Sequence, residues 1–181
     1  MADLAERPMT VEEFLDWPGD GTDTRHELID GVIVAMSPPS GRHSIITMNV
    51  GYEIRRRLRP PCRPFGEAGL TLADDTCVRA DVAASCEGVG PKQLMREPFL
   101  LVEILSPSTR RDDLGFKVPA YQELASVREI WAIDIEERSV RVWRRSGEEW
   151  INALPVRAGA FRSEVLDDAV SVDDLYADTG L

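Results

Sequence analysis

Residues 99–105 read Phe-Leu-Leu-Val-Glu-Ile-Leu and set one carboxylate inside an apolar run. Six of these seven side chains are apolar, the pattern of a central strand covered on both faces. Glu103 stands near the end of that strand. Burying an unpaired charge there costs several kcal/mol. Holding a divalent cation is one way to recover it.

Two other segments carry matching chemistry. Asp81 lies in CVRADVAAS (77–85), a weaker strand, and Lys117 lies in DDLGFKVPAY (112–121). If the two strands are neighbours, Asp81 and Glu103 converge. Carboxylate oxygens without nearby His or Cys suit Mg²⁺ or Mn²⁺. Zinc would find only His26 and His43 as imidazole partners. The Lys117 ammonium would orient a metal-bound water or stabilise charge on a phosphate. Each residue has a plainer reading alone. A lone strand Asp marks an edge or turn, Glu103 pairs with an arginine, and a helical lysine is solvated. The set of three, in the order Asp, Glu, Lys, favours a site.

The chain has 181 residues, 43% of them hydrophobic, which suits one globular domain over 1–181. Its net charge of −11 argues against generic tight binding to nucleic acid. Charge is nevertheless local. Arg55, Arg56, Arg57, Arg59 and Arg63 cluster, as do Arg110 with Arg111 and Arg141 with Arg144 and Arg145. Singly, such clusters read as solvated surface. No apolar stretch approaches the ~20 residues that span a bilayer, and MADLAERPMTVEEF has no signal-peptide core. Three cysteines without a CxxC pair read as reduced thiols in a cytoplasmic protein.

Local patterns give an α+β (mixed α/β) class around one twisted sheet. Met9–Trp17 is an N-capped short helix. His26–Ser37 is a hairpin around Asp30-Gly31. His43–Leu58 is a helix with Ile46, Val50, Ile54 and Leu58 on one face, stopped by Pro60 and Pro61. Strands are expected at Gly69–Ala73, Cys77–Ala83 and Phe99–Leu105, with a polar loop at Glu87–Glu97. Ser106–Asp113 reads as a loop before a helix at about Phe116–Ala125, because Pro119 fits only near a helix start. Glu129–Ile135 and Val140–Arg144 form a hairpin with a candidate exposed edge around Glu136–Ser139. Glu149–Leu154 adds a strand and Val172–Tyr176 a terminal helix.

These pieces resemble the Uma-two-type endonuclease family, within the PD-(D/E)XK restriction-endonuclease-like superfamily. The resemblance rests on HELIDGVIVAMSP, VRADVA, LLVEILSPSTRRDD, the Asp113–Lys117–Tyr121 spacing and VREIWAID. It implies a restriction-endonuclease-like αβ core, a central mixed sheet flanked by helices. It also implies a Mg²⁺ site that cleaves phosphodiester bonds in DNA. By that resemblance Asp81 and Glu103 are the acidic pair and Lys117 is the lysine, moved to the following helix because Leu105 fills its usual place. Glu27 matches the family's N-terminal glutamate, either a third metal ligand or a structural hydrogen-bond acceptor. His43 matches a frequent histidine, either a phosphate contact or, as the first residue of its helix, only a cap or surface residue. Asp113 reads as a cap for the helix of Lys117, and Tyr121 as core. Ala80 replaces the family's proline, which supplies no ligand. Two rivals stand beside the nuclease: a non-cleaving nucleic-acid or protein interaction module, and a metal enzyme acting on another substrate. A homodimer is the expected assembly, since nucleases that cut both strands often work in pairs.

Overall fold

The computed structural model describes residues 7–90, 92 and 94–181. Helix α1 (Val11–Asp16) opens on a capping box, with Glu13 N–H donating to the Thr10 hydroxyl and Thr10 N–H to the Glu13 carboxylate. Strands β1 (His26–Ile29) and β2 (Val32–Ala35) then pair across Asp30-Gly31. Both turn residues are left-handed (φ 50° and 74°), as a two-residue hairpin needs. Thr10→Ala removes the cap, and a loss of about 1 kcal/mol is expected in urea unfolding.

The remaining strands of the central sheet are β3 (Arg63–Ala73), β4 (Thr76–Ser85), β5 (Pro98–Leu105), β6 (Glu129–Asp134), β7 (Val140–Ser146) and β8 (Glu149–Asn152). Their order is β2-β1-β4-β5-β6-β7-β8, with β3 paired to β4 off this path. Every pair is antiparallel except β5–β6. A parallel pair needs a crossover. Here it contains α3 (Arg110–Asp112), a π-helical turn (Asp113–Lys117) and α4 (Val118–Glu123).

The apolar run at 99–105 is buried on both faces, as its composition demands. Leu100, Val102 and Ile104 pack with Ile46, Val50 and Ile54 of α2 (Gly41–Arg57) and with Trp131. Leu101 and Leu105 pack on the other face with Val118 and Tyr121 of α4. A second, two-stranded sheet of β9 (Ala160–Ser163) and β10 (Asp168–Ser171), followed by α5 (Val172–Leu175), completes the α2 side. Phe161 of β9 meets Trp131 edge-on, with ring centroids 5.0 Å apart.

Several boundaries differ from the sequence reading. Strand β3 starts at Arg63 rather than Gly69, so it pairs with all of β4. Helix α2 starts at Gly41 with Ser40 as its cap, so His43 is not its first residue. The helical run that carries Lys117 begins at Arg110, and Pro119 lies inside it as the second residue of α4, just past the wide π turn. The β9–β10 hairpin was not foreseen, because its strands are only four residues each. The hairpin around Glu136–Ser139 is no exposed edge: β5 flanks β6 and β8 flanks β7.

The cysteines also require correction. Cys62 and Cys86, expected as reduced thiols, form a disulfide, while Cys77 is free and buried. Arg63 faces Ser85 in the β3–β4 ladder, so the next step outward sets residue 62 against residue 86. Starting β3 at Gly69 hides that register. The cytoplasmic expectation loses the support it drew from reduced thiols. Among the described residues no helix is long and apolar enough to cross a membrane.

Candidate active site

Strand β3 holds one edge of β4 along its length. The other edge changes partner: β1 meets it at Leu28↔Cys77, and β5 takes over from Val82↔Val102. Between them the sheet forks, and buried backbone groups at a fork need partners. Side chains supply them. Glu27 Oε1 accepts Arg79 N–H at 2.7 Å, Lys117 Nζ donates to the Arg79 carbonyl at 3.0 Å, and Asp81 Oδ2 accepts Ile104 N–H at 2.7 Å.

Asp81 is re-aimed by an irregularity in its strand. Val78 and Ala80 face the α4 side, whereas Val82 and Ala84 face the α2 side, so alternation breaks at Asp81. Across the ladder, Glu67 is left-handed (φ 48°) between the regular pairs Gly66↔Val82 and Ala68↔Ala80. Such kinks turn a side chain out of the pleat. Continuing the β4–β5 register by one pair brings Asp81 opposite Glu103. On its other oxygen Asp81 meets His43 Nε2 at 3.2 Å, and both side chains are partly open to solvent. His43 is therefore neither a cap nor a free surface group: α2 aims it at the fork.

Glu103 is 1% exposed. Tyr121 donates its hydroxyl to Glu103 Oε1 at 2.5 Å. Lys117 Nζ stands 2.9 Å from Glu27 and 3.8 Å from both Glu103 and Asp113. One ammonium thus faces three buried carboxyl groups. Burial pushes the Glu103 carboxyl well above the ordinary range; Lys117 opposes this, while Asp81 and Asp113 add to it. Burial also works against the charge on Lys117, but Glu103, Glu27 and Asp113 outweigh it and raise its pKa above the usual lysine value. Burial lifts Asp113 to about 6.

Asp113 is therefore a buried partner of Lys117, not a cap; no side-chain cap bond is made at this helical run. Tyr121 is core, as expected, and also a ligand of Glu103. Tyr121 follows from the spacing, since residues four apart on a helix share a face; Asp113 has that relation to Lys117 because the helical run already starts at Arg110. Asp113 binds its proton more tightly folded than unfolded. Its contribution is present below pH ~4, and up to about 3 kcal/mol is lost as pH rises through 6. Asp113→Asn is expected to remove that slope. Urea midpoints of wild type minus variant, from pH 4 to 8, measure it. Tyr121→Phe is expected to cost about 1.5–3 kcal/mol by taking a donor from Glu103.

Asp81 and Glu103 are an oxygen pair that a hard cation uses, and Mg²⁺ typically binds through one or two carboxylates with water and phosphate oxygens completing its shell. Their chemistry fits that ion. Glu27 is otherwise engaged, by Arg79 N–H and Lys117. Among the described residues no three His, Cys, Asp or Glu side chains form a metal-holding group. The structure thus joins Glu27, Glu103 and Lys117 in one cluster, and Asp81 and His43 in a pair at its border.

A mixed sheet sandwiched by helices, forked where acidic residues and a lysine gather, defines a restriction-endonuclease-like fold. A crystal structure of a "putative nuclease belonging to DUF820" from Anabaena variabilis matches with a TM-score of 0.74 at 22% identity, over 94% of this chain and 98% of that one. The uncharacterized protein slr1290 of Synechocystis sp. is 26% identical over 151 residues, 79% of this chain and 78% of that protein. The chain belongs to the Uma2 family, described as "Putative restriction endonuclease", whose model matches residues 11–167.

Proposed function

We propose that this protein is a metal-dependent endonuclease that hydrolyses phosphodiester bonds in DNA. The observation that carries this reading is the cluster at the sheet fork, where Asp81 and Glu103 lie on neighbouring strands and Lys117 stands 3.8 Å from Glu103. Asp81 and Glu103 would hold Mg²⁺ or Mn²⁺, which supplies Lewis acidity toward a phosphate and an activated water. Lys117 keeps its proton, because three carboxyl groups surround it. It therefore acts as a fixed positive donor toward growing phosphate charge and not as a base. Glu27 and Asp113 hold that ammonium in place. His43, at the open side of Asp81, is positioned to meet a phosphate oxygen.

Cleavage of supercoiled plasmid tests this. Wild type with Mg²⁺ or Mn²⁺ is expected to nick or linearise the plasmid, and chelation is expected to stop it. Asp81→Ala and Lys117→Ala should each be at least about 100-fold slower. Equal rates in all three proteins would reveal a contaminant and end the assignment. A protein that cuts no DNA yet binds a partner without metal would be an interaction module instead.

A further inference from the structure

The charge of this chain is unevenly distributed. Residues 40–66 hold six arginines and one glutamate, a net of +5 in a chain of −11, so the remainder carries −16. Most of this stretch is α2. Some of its arginines are occupied structurally. Arg42 donates to the Ile135 and Thr179 carbonyls, Arg57 pairs with Glu53 and Asp168, and Arg56 pairs with Glu53. Arg55 and Arg59 are exposed, and among the described residues neither forms an ion pair. Met48 and Tyr52, 73% and 65% exposed, share the outer face of α2 with Arg55.

We propose that the solvent face of α2 is the track on which duplex DNA lies, with Arg55 and Arg59 meeting phosphates away from the cut. This rests on the endonuclease reading, and the charge and geometry make it specific. The helix begins at the site, where His43 touches Asp81. Arg55 lies twelve residues further on, about 18 Å along the helix axis and about a third of a turn around it, a rotation that the ~20 Å width of a duplex bridges. At about 3.4 Å per base pair this spans roughly five base pairs. A duplex with its scissile phosphate at Asp81 thus reaches Arg55 about half a turn away. A mainly acidic protein gains its affinity for a polyanion from such a local patch, while the acidic remainder repels the duplex elsewhere. Tyr52 offers a flat apolar surface with a hydroxyl donor along the same face.

The test is fluorescence anisotropy of a labelled duplex of about 20 base pairs, in EDTA so that binding is read without cleavage. The full chain is compared as wild type, Arg55→Gln/Arg59→Gln and Arg141→Gln; Arg141 is exposed on β7, on the sheet face opposite α2. The double variant is expected to bind at least about tenfold more weakly at 0.1 M salt. Its slope of log K against log salt should be shallower by about 2, one step per lost phosphate contact. Arg141→Gln should match wild type. Unchanged affinity and slope in the double variant would overturn the track, and if wild type still cut plasmid, the nuclease reading would survive alone. Binding that depends on Arg55 and Arg59 without any cleavage would keep the track and defeat the nuclease. If the double substitution instead dissociated a self-associated form in sedimentation and left DNA binding untouched, the face would be an interface between copies and the track would fall.

Discussion

Lys117→Met is expected to lower the unfolding free energy by about 3–5 kcal/mol at pH 8, the cost of leaving buried charge without its partner. Methionine keeps most of the stem's volume, so the loss reports charge and hydrogen bonding rather than a cavity. Glu27 loses a contact of 2.9 Å, and Glu103 and Asp113 lose theirs at 3.8 Å. The Arg79 carbonyl at the fork also loses its donor. The carboxyl groups have one escape, which is to take up protons. Burial already raises Glu103 and Asp113 above ordinary carboxyl values; a hydrogen bond from Thr109 and then Lys117 oppose that rise at Asp113, and Lys117 with the Tyr121 hydrogen bond opposes it at Glu103. Without Lys117 their folded pKa values climb further, while the unfolded values stay put. The folded variant then binds more protons than its unfolded chain, so its stability increases as pH falls. The deficit against wild type should therefore be largest at pH 8 and shrink toward pH 5. Adding Glu103→Gln should recover part of it at pH 8. Urea unfolding across that range measures both effects. A deficit under 1 kcal/mol that ignores pH would mean that Lys117 does not neutralise this cluster.

The same buried charges explain how much of the site could be read before the fold was known. A glutamate inside FLLVEIL is anomalous in any architecture, so Glu103 announced itself. Asp81 and Lys117 gained meaning by their order before and after it. What stayed hidden depended on register. Glu27 was legible as a candidate but not as the acceptor for Arg79 N–H, because that role exists only where β4 changes partner from β1 to β5. His43 looked like a helix start, since Pro38, Pro39 and Gly41 suggest that a turn runs further than it does. Ser40 caps the helix three residues earlier and swings the imidazole onto Asp81. Asp113 was misread for a similar reason: Pro119 argued for a late helix start, and a π turn is not visible in hydrophobic spacing. The disulfide was missed because strand β3 lacks strong alternation before Gly69. The central strand, both main hairpins and α2 followed from patterns strong enough to survive tertiary context.

Asp81→Asn is expected to slow cleavage by about 10²–10³-fold while leaving the fold intact. The two oxygens of Asp81 do different work. Oδ2 accepts Ile104 N–H at 2.7 Å and closes the fork, a role that the asparagine carbonyl can keep. Oδ1 faces His43 and solvent, where under the proposed function it would serve as an anionic donor to the cation. Asparagine has the same size but no charge, so a cation held by Asp81 and Glu103 would lose one of its two protein carboxylates. A loss of 10²–10³ corresponds to about 3–4 kcal/mol of transition-state stabilisation, the scale on which a bound metal acts. Thermal melts of the metal-free proteins should agree within a few degrees, because the hydrogen bond at the fork survives. His43→Ala should slow cleavage less, about tenfold, since it removes one phosphate contact and leaves the carboxylate pair. Single-turnover plasmid cleavage with saturating Mn²⁺ separates the two variants. Were Asp81→Asn to retain a tenth or more of the wild-type rate, Asp81 would be a strand-closing residue only, and the metal would need other ligands.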